Sequence, residues 1–259
     1  MVASADGSPA AAAHPPHAVA RLRSSSLANS STRPRLDRGE PRKPRCLNCR
    51  LAPSHCMCSL RPVVPTRAGI CLLMAEFEAL KPSNTGWLVA DVVPETFAFS
   101  WSRLQVAPGL LALLADPQWQ PWVVFPGEFA EPGRVHESLE LAQPMSPARR
   151  PLFVLLDGTW SEARKMFRKS PYLAGLPVLS LNPGQLSRYR LRRSIHEHHF
   201  CTSEVAALCL AMAGDEHAAQ TLEAYLDVFS HRYLRARQSV PADPQDEAHQ
   251  RLSALAHCA

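Results

Sequence analysis

The residues of this chain that could do chemistry are concentrated in one short stretch that begins at Asp157. An apolar run over residues 152–156 precedes the carboxylate, Gly158 permits a sharp turn, and Thr159 with Glu162 three residues later matches a capping box. The pattern therefore predicts a buried strand, a turn and a helix. Ligands bind at the carboxyl ends of strands in open α/β sheets. A carboxylate there, close to a helix N-terminus, would stay ionised and could accept a proton or orient a donor. Alternatively, it could bond only the backbone amides of its own turn.

The helix predicted after this turn has two contrasting faces. Trp160 falls on the apolar face, where it could pack in the core or line a pocket. Four basic side chains fall on another face: Arg164, Lys165, Arg168 and Lys169. Such a face could bind phosphate groups or could simply be solvated. Pro171 ends the helix.

A second basic segment lies over residues 187–193. Arginine binds phosphates in a bidentate manner, and tyrosine can stack on an unpaired base. The residues that predict RNA binding here are Arg188, Tyr189, Arg190, Arg192 and Arg193. The alternative is a solvated, charged loop.

The net charge of +5 is unevenly distributed. Residues 1–45 carry 8 Lys and Arg against 3 Asp and Glu, and residues 149–193 carry 10 against 2. Charge segregated in this way favours a surface that faces a polyanion such as RNA, if the clustering survives folding.

Four of the eight cysteines lie close together, at Cys46, Cys49, Cys56 and Cys58. Two pairs of thiolates so near in sequence can complete a tetrahedral site, which suits Zn²⁺. A closed four-thiolate site leaves no open position for catalysis, so we interpret it as structural. Redox or incidental cysteines are the alternative, and His55 is a possible substitute ligand.

Short apolar segments alternate with helical patterns from residue 68 onward, which predicts an α/β domain with a mainly parallel sheet. The predicted strands are Ile70–Ala75, Phe97–Trp101, Trp122–Phe125, 152–156 and Val178–Leu181. The predicted helices cover Trp87–Val93, 109–115, the segment after Thr159, 203–213 and 216–235. Asn84 or Thr85 could cap the first of these helices, and Thr202 could cap the fourth. Residues 129–151 are predicted to form a long surface connection.

Composition divides the chain into four parts. Residues 1–45 predict a disordered basic tail, which could add non-specific affinity for nucleic acid or have no role. Residues 46–66 would form the zinc-binding arm, residues 67–235 the α/β domain, and residues 236–259 a frayed C-terminal tail. No apolar run approaches the ~20 residues of a membrane span, and no secretory signal precedes the domain. We expect a cytoplasmic protein that needs no membrane and no obligate protein partner; its oligomeric state stays open.

Several of these segments together resemble the DTW-domain family. Asp157-Gly-Thr-Trp160 is similar to the D-x-T-W signature, and the resemblance covers about residues 45–235. Its other segments are the four cysteines, Lys81-Pro-Ser-Asn-Thr-Gly86, Val123-Val-Phe-Pro126, Glu162–Tyr172, Tyr189-Arg-Leu-Arg192 and Cys201-Thr-Ser-Glu-Val-Ala206. The similarity is greatest to bacterial tRNA-uridine aminocarboxypropyltransferases.

That resemblance implies a reaction and a fold. S-adenosylmethionine would donate its 3-amino-3-carboxypropyl group to N3 of a tRNA uridine, leaving methylthioadenosine. The fold would be SPOUT-like, with a C-terminal trefoil knot that forms the cofactor pocket. Two other functions remain open: a SPOUT-type RNA methyltransferase that uses the same donor, and a zinc-containing RNA-binding protein without catalysis.

The implied site combines a catalytic and a cofactor-binding set. The catalytic candidates are Asp157, as base or orienter of the uracil, with Thr159 and Trp160. The candidates for binding S-adenosylmethionine are Thr85, Phe125, Pro126, Gly127, Leu155, Asp157 and Gly158. The two basic segments would hold tRNA phosphates.

Overall fold

A six-stranded sheet, in which every pair of neighbouring strands is parallel, organises the described part of the chain. The computed structural model describes residues 15–29, 44–139, 149–181 and 200–257. The strands are β1 (Gly69–Met74), β2 (Thr96–Ser100), β3 (Trp119–Val124), β4 (Val135–His136), β5 (Arg150–Asp157) and β6 (Val178–Leu179), in the order β2-β1-β5-β3-β6-β4. The predicted α/β fold with a mainly parallel sheet is confirmed. The two-residue strand β4 is an addition, within the predicted surface connection.

Helices cover both faces of this sheet. They are α1 (Ala18–Asn29), α2 (Gly86–Val92), α3 (Pro108–Ala115), α4 (Trp160–Lys169), α5 (Thr202–Met212), α6 (Glu216–Gln238) and α7 (Glu247–Ala256). Alternate residues of β1 enter separate cores, with Leu72 in the core that includes α2, α5 and α6, and Leu73 in the core that includes α3 and α4. Strands buried on both faces explain why their sequences are continuous apolar runs.

The register of the central strand β5 places Asp157 on the side of the sheet where the strands have their carboxyl ends. β5 lies between β1 and β3, and Asp157 is paired with Met74, the last residue of β1. On the other side, Leu155 is paired with Val124, the last residue of β3. The carboxyl ends of three neighbouring strands therefore meet around Asp157.

Two segments predicted to lack structure contain helices, and those parts of the prediction are wrong. α1 lies within residues 1–45 and contacts α2 and β2, with Val19 fully buried. α7 lies within residues 236–259 and packs on α6 through buried Leu252. Both helices are held by tertiary contacts, and α1 has almost no amphipathic pattern of its own, which is why composition alone misses it.

The trefoil knot stays a prediction, because the chain between β6 and α5 includes residues 182–199, outside the described ranges. In the described part of the chain, no helix is both long and apolar enough to cross a membrane.

Candidate functional site

Asp157, at the carboxyl end of strand β5, accepts hydrogen bonds from two side chains in distant parts of the chain. Its side chain is buried, with only 2% of the residue exposed. Oδ2 accepts a hydrogen bond from Nδ2 of Asn84 at 2.8 Å, and Oδ1 accepts one from Oγ1 of Thr202 at 2.6 Å. These two bonds fix the position of the carboxylate.

The loop before α2 has the residues that this close approach requires. Oδ1 of Asn84 accepts from the backbone N–H of Trp87 at 3.0 Å, so Asn84 caps α2 while its amide faces Asp157. A Cβ on Gly86 would lie 2.7 Å from Oδ2 of Asp157. Only glycine lets the first turn of α2 pass so near the carboxylate. Of the two predicted caps, Asn84 provides this bond, and Thr85 provides none to α2.

The start of α5 supplies the other donor. Cys201 is the N-cap residue, and its backbone N–H donates to Oε2 of Glu204 at 2.7 Å. Thr202 is the first helical residue, so its predicted role as cap is wrong, and its hydroxyl donates to Asp157 instead. Strand β5 thus ends near the N-termini of α4 and α5, where the helix dipoles favour negative charge.

The predicted capping box at the start of α4 is confirmed. The backbone N–H of Thr159 donates to Oε2 of Glu162 at 2.8 Å, and the N–H of Glu162 donates to Oγ1 of Thr159 at 3.3 Å. Burial raises the pKa of Glu162, but hydrogen bonds from Thr159 and the charges of Lys81 and Lys165 lower it below its usual value overall. Thr159 is exposed and serves as this cap.

An apolar cavity of about 360 Å³ opens beside these strand ends. Its lining residues are Val124, Phe125, Pro126, Glu128, Leu155, Leu156, Gly158, Trp160, Ala163, Leu181, Phe200, Thr202, Val205 and Leu208. The set includes the predicted Phe125, Pro126, Leu155, Gly158 and Trp160. Thr202 both lines the cavity and bonds Asp157, so the buried carboxylate reaches the cavity through one hydroxyl group.

Three predicted cofactor residues, Thr85, Gly127 and Asp157, lie outside the described cavity lining. Oγ1 of buried Thr85 accepts from the backbone N–H of Ser203 at 3.4 Å, which joins the loop before α2 to α5. The N–H of Gly127 donates to Oγ of Ser180 at 3.0 Å, and a Cβ there would lie 2.7 Å from Val135. These residues therefore hold together the elements around the cavity and are not among its described lining residues.

Trp160 forms part of the cavity wall. Its ring stacks on Phe125 with centroids 5.4 Å apart and an interplanar angle of 12°, and it meets Phe129 edge-on at 5.6 Å. It remains 39% exposed. A flat ring that is held by aromatic neighbours and still exposed can receive another flat group.

The basic face of α4 is exposed, as predicted for Arg164, Lys165, Arg168 and Lys169. The guanidinium of Arg164 lies 4.8 Å from the ring centre of Phe129, so this face adjoins the aromatic wall. The second predicted RNA-binding set, Arg188, Tyr189, Arg190, Arg192 and Arg193, lies outside the described residues.

The four clustered cysteines have the geometry of a metal site. Their Sγ atoms all lie within 4.8 Å of one another, and Cys46 and Cys58 are 3.5 Å apart. Tetrahedral zinc with Zn–S bonds of about 2.3 Å separates its sulfur atoms by about 3.8 Å. Nε2 of His55 contacts the carbonyl of Val240 at 2.8 Å. The cluster could therefore bind a metal ion such as zinc through sulfur alone.

The surroundings of the cluster change the pKa values of three of its thiols in different directions. Burial raises the pKa of Cys49 to about 12, and burial and neighbouring thiols raise that of Cys58 well above its usual value. Burial also raises the pKa of Cys46, but bonds from the backbone of Cys49 and Asn48 and from neighbouring thiols lower it to about 7 overall. A bound metal ion would displace the remaining protons, because thiolates are the ligands.

Comparison with known protein families shows to which family this chain belongs. The model of the DTW domain matches residues 43–234, which is well over half of the chain. This chain belongs to the DTW domain family. The match extends from just before the cysteine arm into α6, so both the cavity and the arm lie within the DTW domain. Membership is consistent with a tRNA-modifying enzyme. No solved structure matches the chain.

The contacts of Asn84 and Thr202 with Asp157 are what the sequence pattern misses in this DTW domain. Both residues have the signal of a helix start, and that signal predicts a cap. Nothing local indicates that their side chains meet a carboxylate that is 73 and 45 residues away, respectively.

Proposed function

We propose that this DTW-domain protein transfers the 3-amino-3-carboxypropyl group of S-adenosylmethionine to N3 of a tRNA uridine. The observation that carries the proposal is the hydrogen bond from Thr202, in the cavity wall, to the buried carboxylate of Asp157. It connects the cavity to a buried carboxylate that can accept a proton at a defined position.

The cavity suits a donor with a flat heterocycle and a charged tail. A volume of about 360 Å³ is within the roughly 300–1,000 Å³ of small-molecule sites. Phe125, Leu155 and Trp160 would hold the adenine, and Glu128 would face the cationic end. The donor supplies an alkyl group on a sulfonium, and methylthioadenosine leaves without help from a protein acid.

Asp157 and Thr202 would handle the proton of uracil N3. The hydroxyl of Thr202 donates its only hydrogen to Asp157, so its lone pairs are left to accept the N3–H bond. As N3 bonds to the donor carbon, the N3 proton passes to Thr202 and the Thr202 proton passes to Asp157. The carbon–sulfur bond breaks with its electrons remaining on sulfur.

The basic face of α4, which adjoins the aromatic wall of the cavity, and the arginine-rich residues 188–193 would hold tRNA phosphates. We infer a SPOUT-like fold with a trefoil knot, a structural zinc ion in the arm and a cytoplasmic location. These parts of the proposal rest on the family and on the cysteine geometry.

Labelled donors test the reaction. Purified protein is incubated with unmodified tRNA and S-adenosylmethionine labelled either in the carboxyl group or in the methyl group, and the nucleosides are analysed by mass spectrometry. Carboxyl label should enter tRNA as 3-(3-amino-3-carboxypropyl)uridine, and methyl label should appear in methylthioadenosine. Methyl label in tRNA would identify a methyltransferase instead. Tight tRNA binding with neither label transferred would support the non-catalytic RNA-binding protein.

Charge reversal tests the RNA surface. Arg168→Glu combined with Lys169→Glu should weaken tRNA binding about tenfold or more and reduce its salt dependence, because phosphate contacts are lost. Arg237→Glu, at an exposed position near the end of α6, changes the charge by the same amount as Arg168→Glu alone and is the matched control for that single variant. Equal weakening by the control would show that α4 has no special role.

A further inference from the structure

Arg50 joins the cysteine arm to the loop that holds Asp157. It directly follows Cys49 in the arm, yet it is only 3% exposed. Nη1 donates to the carbonyl of Lys81 and Nη2 to the carbonyl of Asn84, both at 2.9 Å. The guanidinium also lies 4.2 Å from the ring centre of Trp87. One side chain thus contacts both ends of the turn before α2 and the helix that follows it.

The backbone of Arg50 has a conformation that normally selects glycine. Its φ is 64°, in the left-handed region. Its N–H donates to the carbonyl of Cys46 at 2.9 Å, and the N–H of Cys46 donates to the carbonyl of Leu51 at 2.8 Å, so this conformation closes the metal-binding turn. An L-residue pays about 1 kcal/mol or more there, and glycine does not. An arginine at this position therefore points to a task for the side chain.

The loop that Arg50 grips is the one that orients the carboxylate. The carbonyl of Asn84 accepts from Arg50, while its side-chain amide donates to Asp157 and its Oδ1 accepts from Trp87. Asn84 is thus fixed from the arm on one side and fixes Asp157 on the other. The path from the cysteine cluster to the candidate site consists of two residues.

We propose that Arg50 is a positioning residue that makes the geometry at Asp157 depend on the metal-bound arm. The proposal rests on the function proposed above for its effect on turnover. The arm has other attachments, since Arg232 donates to the carbonyl of Cys56 and His55 contacts that of Val240. Loss of the Arg50 side chain should therefore leave the arm folded and the metal in place.

Arg50→Gly in the full chain is the test, because it removes the side chain while favouring the turn. Zinc content should match the wild type, kcat should fall about tenfold or more, and the KM for tRNA should change little. The Trp87 amide should exchange its hydrogen about tenfold faster, since its acceptor Asn84 is no longer held. Arg50→Lys should restore little, because one ammonium cannot reproduce the planar two-donor grip.

Arg45→Ala is the matched control in the same arm. Nη1 of Arg45 donates to the carbonyl of Arg50 at 3.1 Å, and no described bond joins Arg45 to the Lys81–Gly86 loop. Turnover and Trp87 exchange should stay close to the wild type. Unchanged turnover and exchange in Arg50→Gly would overturn the proposal, and so would loss of zinc in that variant, since Arg50 would then only support the arm.

Chelation of zinc separates this proposal from the enzymatic function. In the wild type, chelation should speed exchange at Trp87, whereas in Arg50→Gly, where the link is already lost, it should add little. This readout needs no catalysis. If the wild type transfers nothing but shows this difference, the proposed reaction fails and the link stands. If chelation affects both proteins equally, the link fails.

Discussion

Two buried aspartates lie at opposite ends of α2, and their surroundings differ in kind. Asp157, beside the start of the helix, is 2% exposed and bonds an amide and a hydroxyl. Asp91, in its last turn, is 5% exposed and lies 3.0 Å from Arg61 and 3.5 Å from His17, and it accepts from the hydroxyl of Tyr225 at 3.3 Å. The two residues are buried to nearly the same extent, whereas the hydrogen bonds and ion pairs described for them differ.

The partners decide what each carboxylate can do. Burial raises the pKa of Asp91 to about 6, although Arg61, Arg50 and Tyr225 act to lower it. Asp91 joins the segment before α1, the cysteine arm and α6, around a cavity of about 170 Å³. A carboxylate balanced by a cation is a tie between elements. Asp157, by contrast, bonds a hydroxyl group that lines a cavity, so a proton released in the cavity can reach it through Thr202.

Asp157→Asn should give the largest effect on function. Loss of the proton acceptor should lower kcat about 100-fold or more, within the range of general base catalysis. Affinity for tRNA should stay close to that of the wild type, because the basic side chains are elsewhere. Steady-state kinetics and a filter-binding titration measure the two quantities. Parallel losses of turnover and affinity would make Asp157 a structural residue like Asp91.

Gly86→Ala should damage the same site from the helix side. The added Cβ would lie 2.7 Å from Oδ2 of Asp157 and 3.1 Å from Cδ1 of Leu72, so the carboxylate or the helix must shift. We expect kcat to fall about tenfold and the free energy of unfolding to fall by about 1–3 kcal/mol. Gly133→Ala is the control, since a Cβ there meets nothing within 4 Å. Wild-type turnover in Gly86→Ala would show that α2 and Asp157 can move apart without affecting the site.

Asp91→Asn should affect stability alone. Removing the carboxylate leaves Arg61 without its ion pair, which should cost about 3 kcal/mol of unfolding free energy. The kcat of the folded protein should stay within about twofold of the wild type, because Asp91 does not line the cavity at the strand ends. Urea unfolding and kinetics on the same preparation measure both. A large loss of kcat would erase the contrast between the two aspartates.

His17→Gln should have the smallest effect near neutral pH, and its effect on stability should depend on pH. Burial and then Arg61, Arg50 and Arg21 lower the pKa of His17 to about 3, despite the nearby Asp91. Nδ1 of His17 accepts from the N–H of Ala20 at 3.2 Å, so protonation there removes the cap of α1. The folded state holds His17 neutral, whereas the unfolded state takes up a proton below pH 6.5.

The sign of the His17 effect follows from that difference. The stability contributed by neutral His17 is complete above pH 6.5 and is lost as the pH falls towards 3. The stability advantage of the wild type over His17→Gln should therefore shrink by about 1 kcal/mol per pH unit below pH 6. The raised pKa of Asp91 acts in the opposite direction, so the comparison between the two proteins is the quantity to measure. A difference that is constant with pH would contradict a buried neutral His17.

Local signals explain the parts of the fold that the sequence predicts. The apolar run before Asp157 predicts β5, and the Thr159–Glu162 pair predicts the start of α4. Both predictions succeed because these elements are determined by residues that are neighbours in sequence. The alternation of such segments also indicates a parallel sheet. α7 has a local signal as well: Oδ1 of Asp246 accepts from the N–H of His249 at 2.9 Å as an N-cap. Composition alone is therefore a poor guide to this end of the chain.

The candidate site is only partly predictable, because its function depends on meetings between distant residues. Asp157 is found from its position at a strand end. Its partner Thr202 has the same local signal as an ordinary cap, and only the folded chain shows that its hydroxyl turns to the carboxylate. The link through Arg50 cannot be predicted for the same reason. Its two acceptors are backbone carbonyls, and every residue type has one.

The attachment of the cysteine arm to the far end of the chain has a consequence for synthesis on the ribosome. His55 meets Val240, 185 residues later, and Cys56 meets Arg232, 176 residues later. At about 5–20 residues per second, roughly 10 to 35 s separate the emergence of these partners. During that interval the four cysteines have been synthesised, but the arm lacks its contacts with Arg232 and Val240, and the thiols are exposed to oxidation. Early capture of a metal ion would protect the nascent chain until its last helices arrive.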